Sequence, residues 1–389
     1  MPRQNTTDAF TDTTVDALLE REFAQDPALI YLNHAAVAPW PQRTAQAVQA
    51  FATHNASRGA ADYARWTEVS HQLRRDLGAL INARPADIGL LKNTSEALSV
   101  VAWGLDWAEG DNLVLAREEF PSNRIVWESL AERGVACRYA DPAAYAEDPE
   151  AALMAAADER TRLLTVSSVQ YASGRRMDLR RLGAFCRERG ILFCVDAIQS
   201  VGALPFDVQD CGADFAMADG HKWMLGPEGV ALFYTRPEAR DALRLYQYGW
   251  HMTAEFNNFD APSWHVEPSA RRFECGSPNM LGIHALQASV GLLLELGMDQ
   301  VGTRVLRNAA HVIDRVAAEP ALELVSSADA TVRSGIVTFR HRKLEPAALH
   351  KRLLDAGVVC AARGGGVRFS PHCYNTAESI DRALDAACG

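Results

Sequence analysis

The sequence predicts an α/β protein, with a large domain built on a mainly parallel sheet covered by helices on both faces and a smaller α+β domain beside it. Three observations predict this. Short apolar runs bounded by turn residues alternate with helical stretches over most of the chain. The texture changes after about residue 285. A chain of 389 residues, 48% of them hydrophobic, also exceeds one ordinary domain. The expected division is 30–285 for the large domain and 1–29 with 286–389 for the small one.

In chain order the expected strands are "IGLLK" (88–92), "NLVLA" (112–116), "LLTVSSV" (163–169), "ILFCVDA" (191–197), "FAMAD" (215–219) and "VALFYT" (230–235). Most are apolar throughout, as strands buried on both faces require. Helices fall between them: "LRRLGAFCRERG" (179–190) puts Leu182, Phe185 and Cys186 on one face and ends on a capping glycine. The alanine-rich stretch 143–158 reads as an ordinary helix. Farther on, an apolar-striped helix from Ile283 to Leu296 and another from Gly302 precede short strands at "SGIVTF" (334–339) and "GVRFS" (366–370).

Composition narrows the function. A net charge of −10 without long single-sign blocks argues against nucleic-acid binding, which needs clustered Lys and Arg. The eight cysteines are scattered, with no Cys-x-x-Cys and no metal-ligand spacing, so they read as reduced thiols and no metal site is expected. The first twenty residues lack the apolar core of a signal peptide, and no run is long enough to span a bilayer, so the expected compartment is the cytoplasm, with no membrane partner.

In open α/β sheets ligands bind beyond the carboxyl ends of the strands. Asp196 closes the run "ILFCV", Gln199 follows it, and Lys222 follows the next strand within "ADGHKWMLGPEG". Phe120 comes after "NLVLA", and "NTSEA" (93–97) joins the first run to a helix. A buried lysine near an acid suits Schiff-base chemistry, because desolvation frees the amine. Pyridoxal phosphate is the cofactor that needs this set: an anion for its ring nitrogen, backbone donors for its phosphate and a flat apolar surface for its ring. Taken singly, "NTSE" reads as a capping box with Asn93 at the N-cap and Glu96 at N3, Phe120 as a core residue, and Asp196 as either a ligand or a turn cap. Their joint occurrence at separate strand ends carries the inference.

"CVDAIQSVGALPFDV" followed by "ADGHKWMLGPEGVALFY" resembles the cofactor-binding core of the class V aminotransferases, a group that includes cysteine desulfurases, isopenicillin N epimerase-like proteins and cysteine C–S lyases. The likeness extends to "YLNHAAVAP" (31–39), "KNTSEAL" (92–98), "EEFPSN" (118–123), "RRFECGSPN" (271–279) and "GVRFSPHCYNT" (366–376). It implies the aspartate-aminotransferase-type fold (fold type I), with a seven-stranded large-domain sheet, and a homodimer acting on an amino acid. By position, Lys222 would form the Schiff base, Asp196 would pair with the pyridine nitrogen and Gln199 would bond the phenolic oxygen. Phe120 takes the ring-stacking position. Thr94, Ser95 and His221 would meet the phosphate, with Ser277 reaching the cofactor of the other subunit. Arg368 would grip the substrate carboxylate, and His34 and His251 are further candidates for the pocket wall, His34 as a substrate contact.

Two departures matter. Asp219 stands where many members carry a phosphate-binding serine, so it turns away, is protonated, or is paired. The loop cysteine of desulfurases has no clear counterpart, since Cys360 falls on what reads as a strand and suits a small buried hydrophobe. Transamination is therefore the first expected reaction, with a C–S lyase or epimerase as alternatives, then a desulfurase, and a catalytically silent fold last. No Gly-x-Gly-x-x-Gly follows a strand, which sets a dinucleotide-dependent dehydrogenase aside.

Overall fold

The structure, a computed structural model, describes residues 12–389. The first eleven residues, on which part of the signal-peptide expectation and of the 1–29 assignment falls, lie outside the described residues. Seven strands form the central sheet: β1 Ile88–Leu91, β2 Asn112–Leu115, β3 Ala136–Tyr139, β4 Thr161–Ser167, β5 Leu192–Asp196, β6 Phe215–Asp219 and β7 Ala231–Thr235. Their spatial order is β1-β7-β6-β5-β4-β2-β3. Only β7 runs against its neighbours, pairing antiparallel with both β1 and β6. A turn suffices to join β6 to β7, because antiparallel neighbours need no helical crossover.

The apolar runs are continuous because each strand feeds two cores. Leu113 and Leu115 of β2 pack on one face with Leu98 and Trp127 of the covering helices, while Val114 packs on the other with Leu182 and Cys186. In β6, Phe215 and Met217 join the first cluster and Ala216 and Ala218 the second. Period-two alternation sends successive side chains to opposite faces, and both faces here are covered.

The strands and helices fall close to their expected places, with informative exceptions. Strand β3 was not expected: it is a sheet edge, with Ala136 and Arg138 exposed, so it lacks an apolar run. The alanine-rich stretch forms two helices, Pro142–Glu147 and Pro149–Ala156, because Pro149 cannot continue the first and Asp148 caps the second through Ala151 N–H. Helix Leu179–Arg189 ends as expected, on Gly190 at φ +67°. The second long helix begins at Met298 rather than Gly302.

A four-stranded antiparallel sheet lies after these helices, in the order Ala361–Arg363, Gly366–Phe369, Val337–His341, Leu322–Leu324. The strand expected at 334–339 starts only at Val337, since Ser334 instead donates to Gly174 O at 2.7 Å. Helix Met298–Ala318 spans two cores: Val301 and Val305 join the large-sheet cluster, Val312, Ile313 and Val316 the cluster under the small sheet. Among the described residues no single helix is long and apolar enough to cross a membrane.

Candidate functional site

The carboxyl ends of β4, β5 and β6 lie side by side, with Ser167 opposite Asp196 and Asp196 opposite Met217. Asp196 is buried, and its Oδ1 accepts Ile198 N–H at 3.1 Å. Burial pushes its carboxyl well above the ordinary range, against the pull of the Ile198 N–H and the Lys222 charge. Lys222 sits in the β6–β7 turn, closed by Gly226 N–H to Gly220 O at 2.8 Å and Leu225 N–H to Lys222 O at 3.0 Å. Leu225 takes φ +61°, an uncommon conformation for a non-glycine residue.

That turn is held by Trp223. Its indole is fully buried, donates Nε1–H to Gln199 Oε1 at 2.8 Å, and its carbonyl meets His372 Nε2 at 3.1 Å. The lysine is thereby fixed inside a cavity of about 250 Å³ whose wall includes Asp196, Phe120, Arg368 and Thr94. Burial lowers its ammonium pKa, with Asp196 and Asp219 opposing and Arg368 and Arg363 adding to the shift. Such a group releases its proton more readily than an exposed lysine. Gln199 donates through Nε2 to Ala35 O at 3.1 Å, which leaves one amide hydrogen for a ligand.

At the other end of the cavity, helix Thr94–Gly104 begins with Asn93 Oδ1 accepting Glu96 N–H at 2.9 Å. Glu96 reaches back to Lys92 N–H at 2.6 Å, one residue beyond the usual capping box. Asp219 does not turn away: its Oδ1 accepts Thr94 N–H at 2.6 Å, and burial pushes its carboxyl up to about 6. His221 Nδ1 lies 3.7 Å from Asp219 Oδ2, too far for a hydrogen bond, and burial pushes the imidazole down to about 4. The Thr94 hydroxyl oxygen is buried without a hydrogen-bond partner, and Ser95 Oγ meets Ser122 Oγ at 2.9 Å.

Arg368 lies on the strand Gly366–Phe369 and is 1% exposed. One Nη donates to Tyr171 O at 2.7 Å, while Nε is buried without a partner. No carboxylate pairs with it among the described residues. Burial and the neighbouring Arg363 lower it to about 10. The Phe120 ring is 5.5 Å from Lys222 Nζ and edge-on to Tyr171, with centroids 5.2 Å apart.

Three candidate residues stand elsewhere. His34 does not reach the cavity: it is fully buried, with Nδ1 on Ser370 O at 2.9 Å and Nε2 on Tyr374 OH at 2.8 Å. Both nitrogens are taken, so its substrate contact is corrected to a brace between the 33–37 loop and the small sheet. His251 is likewise buried away from the cavity, against Glu274. Ser277 is exposed before helix Met280–Leu296 and does not line this chain's own cavity.

Sequence reasoning missed Tyr171, Arg363 and Glu119. The buried Glu119 carboxylate accepts Ser167 N–H at 2.9 Å, the Ser167 hydroxyl, Gln170 Nε2 at 3.0 Å and Asn123 Nδ2 at 2.9 Å. It thus ties the Phe120 loop to the segment carrying Tyr171. Its only signal in the sequence was adjacency to Phe120.

The residues present fit pyridoxal phosphate. A buried acid, a depressed lysine, a flat ring beside that lysine and a threonine at a helix N-terminus converge on one cavity. Asp219, at the Thr94 end of the cavity, is the one member that carries the same sign as a phosphate. The profile of the family described as "Aminotransferase class-V" matches residues 30–383. A probable cysteine desulfurase of Methanothermobacter thermautotrophicus is 29% identical over 90% of this chain and 92% of its own length. An uncharacterized aminotransferase, YcbU, of Bacillus subtilis is 30% identical over 82% of this chain and 83% of its own. The apo structure of a cysteine desulfurase from Thermococcus onnurineus NA1 superposes with a TM-score of 0.84 at 22% identity, covering 95% of this chain and 96% of that one, a likeness of fold. With its seven-stranded sheet, clustered strand ends and matching profile, this chain belongs to the class V aminotransferase family of pyridoxal-phosphate-dependent enzymes and has their fold type I architecture.

Proposed function

We propose that the chain binds a free α-amino acid between Lys222 and Arg368 and passes its amino group to an oxo acid. Arg368 carries the choice of an α-amino acid. A guanidinium this buried, with an unpartnered Nε and no carboxylate beside it, is costly unless a ligand supplies the anion. A substrate α-carboxylate matches its planar fork.

In this reading Asp196 would hold the pyridine nitrogen, Gln199 the phenolic oxygen, and Thr94, Ser95 and His221 the phosphate, with Phe120 against the ring. The bound cofactor supplies an electron sink that acidifies the substrate Cα–H. Lys222, as a free amine, would accept that proton and donate it again, the transfer that transamination requires. Arg368 orients the substrate, and the ceiling of Phe120 and Tyr171 keeps bulk water from the lysine. The functional unit is a homodimer in which the exposed Ser277 serves the other subunit's cofactor site.

A second reading, cleavage of a Cβ–S bond, is favoured by the likeness to a probable cysteine desulfurase. A persulfide route needs a thiol in the cavity. Among the described residues no cysteine lines it, and Cys360 packs into the small-sheet core, where burial pushes its thiol up to about 12. The test incubates cofactor-loaded protein with a panel of amino acids and identifies the products. An oxo acid formed without ammonia or sulfide, with the amino group recovered on an added acceptor oxo acid, supports transamination. Sulfide from cysteine, or an inverted amino acid, replaces it by the lyase or epimerase reading. Sulfide release from cysteine in the presence of an added thiol reductant that is lost in Cys360→Ala restores the persulfide route.

A further inference from the structure

The substrate side of the cavity holds more positive charge than one carboxylate uses. The hairpin joining Ala361–Arg363 to Gly366–Phe369 turns through Gly364 and Gly365, at φ +59° and +76°. A Cβ on Gly364 would stand 3.2 Å from Ala172 O, so the hairpin tip rests on the segment that carries Tyr171. Thr338 of the same sheet donates to Ala172 O at 2.6 Å. This docking places Arg363 at the cavity mouth and Arg368 at its wall. Arg363 is exposed, and its guanidinium has no hydrogen bond or ion pair among the described residues. Both guanidiniums line the cavity that holds Lys222.

The two acids in the cavity wall lie at the cofactor end. Asp196 closes β5 under the ring position, and Asp219 is bonded to the helix N-terminus at Thr94. Neither reaches across to pair Arg363 or Arg368. We infer that Arg363 binds a second anion on the substrate, so that the preferred substrate is an amino acid with an acidic side chain: a carboxylate, sulfinate or similar oxyanion. This rests on the amino-acid reading above and specifies its substrate class. An unpaired cation at the rim of a cavity favours ligands of opposite sign over neutral isosteres.

The experiment compares isosteric pairs, aspartate with asparagine and glutamate with glutamine, on cofactor-loaded protein, reading both the change in the visible cofactor band and kcat/KM. The wild type prefers the acid of each pair by at least about fivefold, the scale of an ion pair at a partly solvated rim. Arg363→Gln abolishes that ratio, Arg363→Lys restores part of it, and added salt reduces it in the wild type. Equal loss on acid and amide in Arg363→Gln means that Arg363 shares the α-carboxylate, and overturns the inference. So does a wild-type preference for the amides. If no amino acid perturbs the visible band, the amino-acid reading itself fails, a result distinct from a band that responds equally to acid and amide.

Discussion

Replacing Arg368 tests the orientation of the substrate most directly. One Nη is committed to Tyr171 O at 2.7 Å, and Nε is buried without a partner. The guanidinium can therefore keep its protein contact while other N–H groups face a carboxylate. Lysine could offer only a point charge and could not serve both partners in that geometry, so Arg368→Lys is not conservative. A hydrogen bond to a charged group contributes about 1.5–3 kcal/mol, and about 1.4 kcal/mol is a factor of ten. Apparent affinity should thus fall roughly ten- to a hundredfold in Arg368→Ala. The assay titrates cofactor-loaded protein with an amino acid and with the matching amine that lacks the carboxylate, following the visible band. Wild type favours the acid strongly, and Arg368→Ala loses most of that preference while keeping the cofactor spectrum. A variant that still discriminates as well as wild type would refute the reasoning, because some other group would then hold the carboxylate.

Three further outcomes follow from the site. Lys222→Ala should bind the cofactor without a covalent link; borohydride followed by peptide mapping checks this, and cofactor fixed to another lysine in the wild type would contradict it. Asp196→Asn keeps the shape but removes the charge at the ring nitrogen, so turnover should fall at least about a hundredfold, around 2.7 kcal/mol, with binding retained; near-normal kcat contradicts the role. Asp219 is raised to about 6 by burial, so it is mostly ionised above that pH and mostly protonated below it. Asp219→Ser should therefore tighten cofactor affinity more at pH 8 than at pH 5, as measured by equilibrium dialysis across pH. The stability sign is separate: a carboxyl raised in the folded state loses stability as pH rises from its unfolded value through about 6.

Local chemistry made much of this protein legible from its residues in order. Apolar runs marked six of the seven central strands, since a strand buried on both faces writes its burial into consecutive residues. Strand ends located Asp196 and Lys222, and the cap at Asn93 announced a helix N-terminus. The edge strand Ala136–Tyr139 was silent because one of its faces is wet. What remained hidden depends on contacts between distant segments. Thr94 and Asp219 are 125 residues apart, and only folding decided that the acid takes that N–H rather than turning away. Arg368 and Tyr171 are 197 apart, so the docking of the small sheet that buries the arginine and brings Arg363 to the same mouth has no local signature. His34 looked like a pocket residue for the same reason: its motif is local, but the Ser370 carbonyl and Tyr374 hydroxyl that occupy its nitrogens arrive from the far end of the chain. Periodicity and turn chemistry report which side chains are buried or capped, whereas the partner that satisfies each buried polar group is chosen by tertiary packing, where every such group must find a hydrogen bond or a ligand.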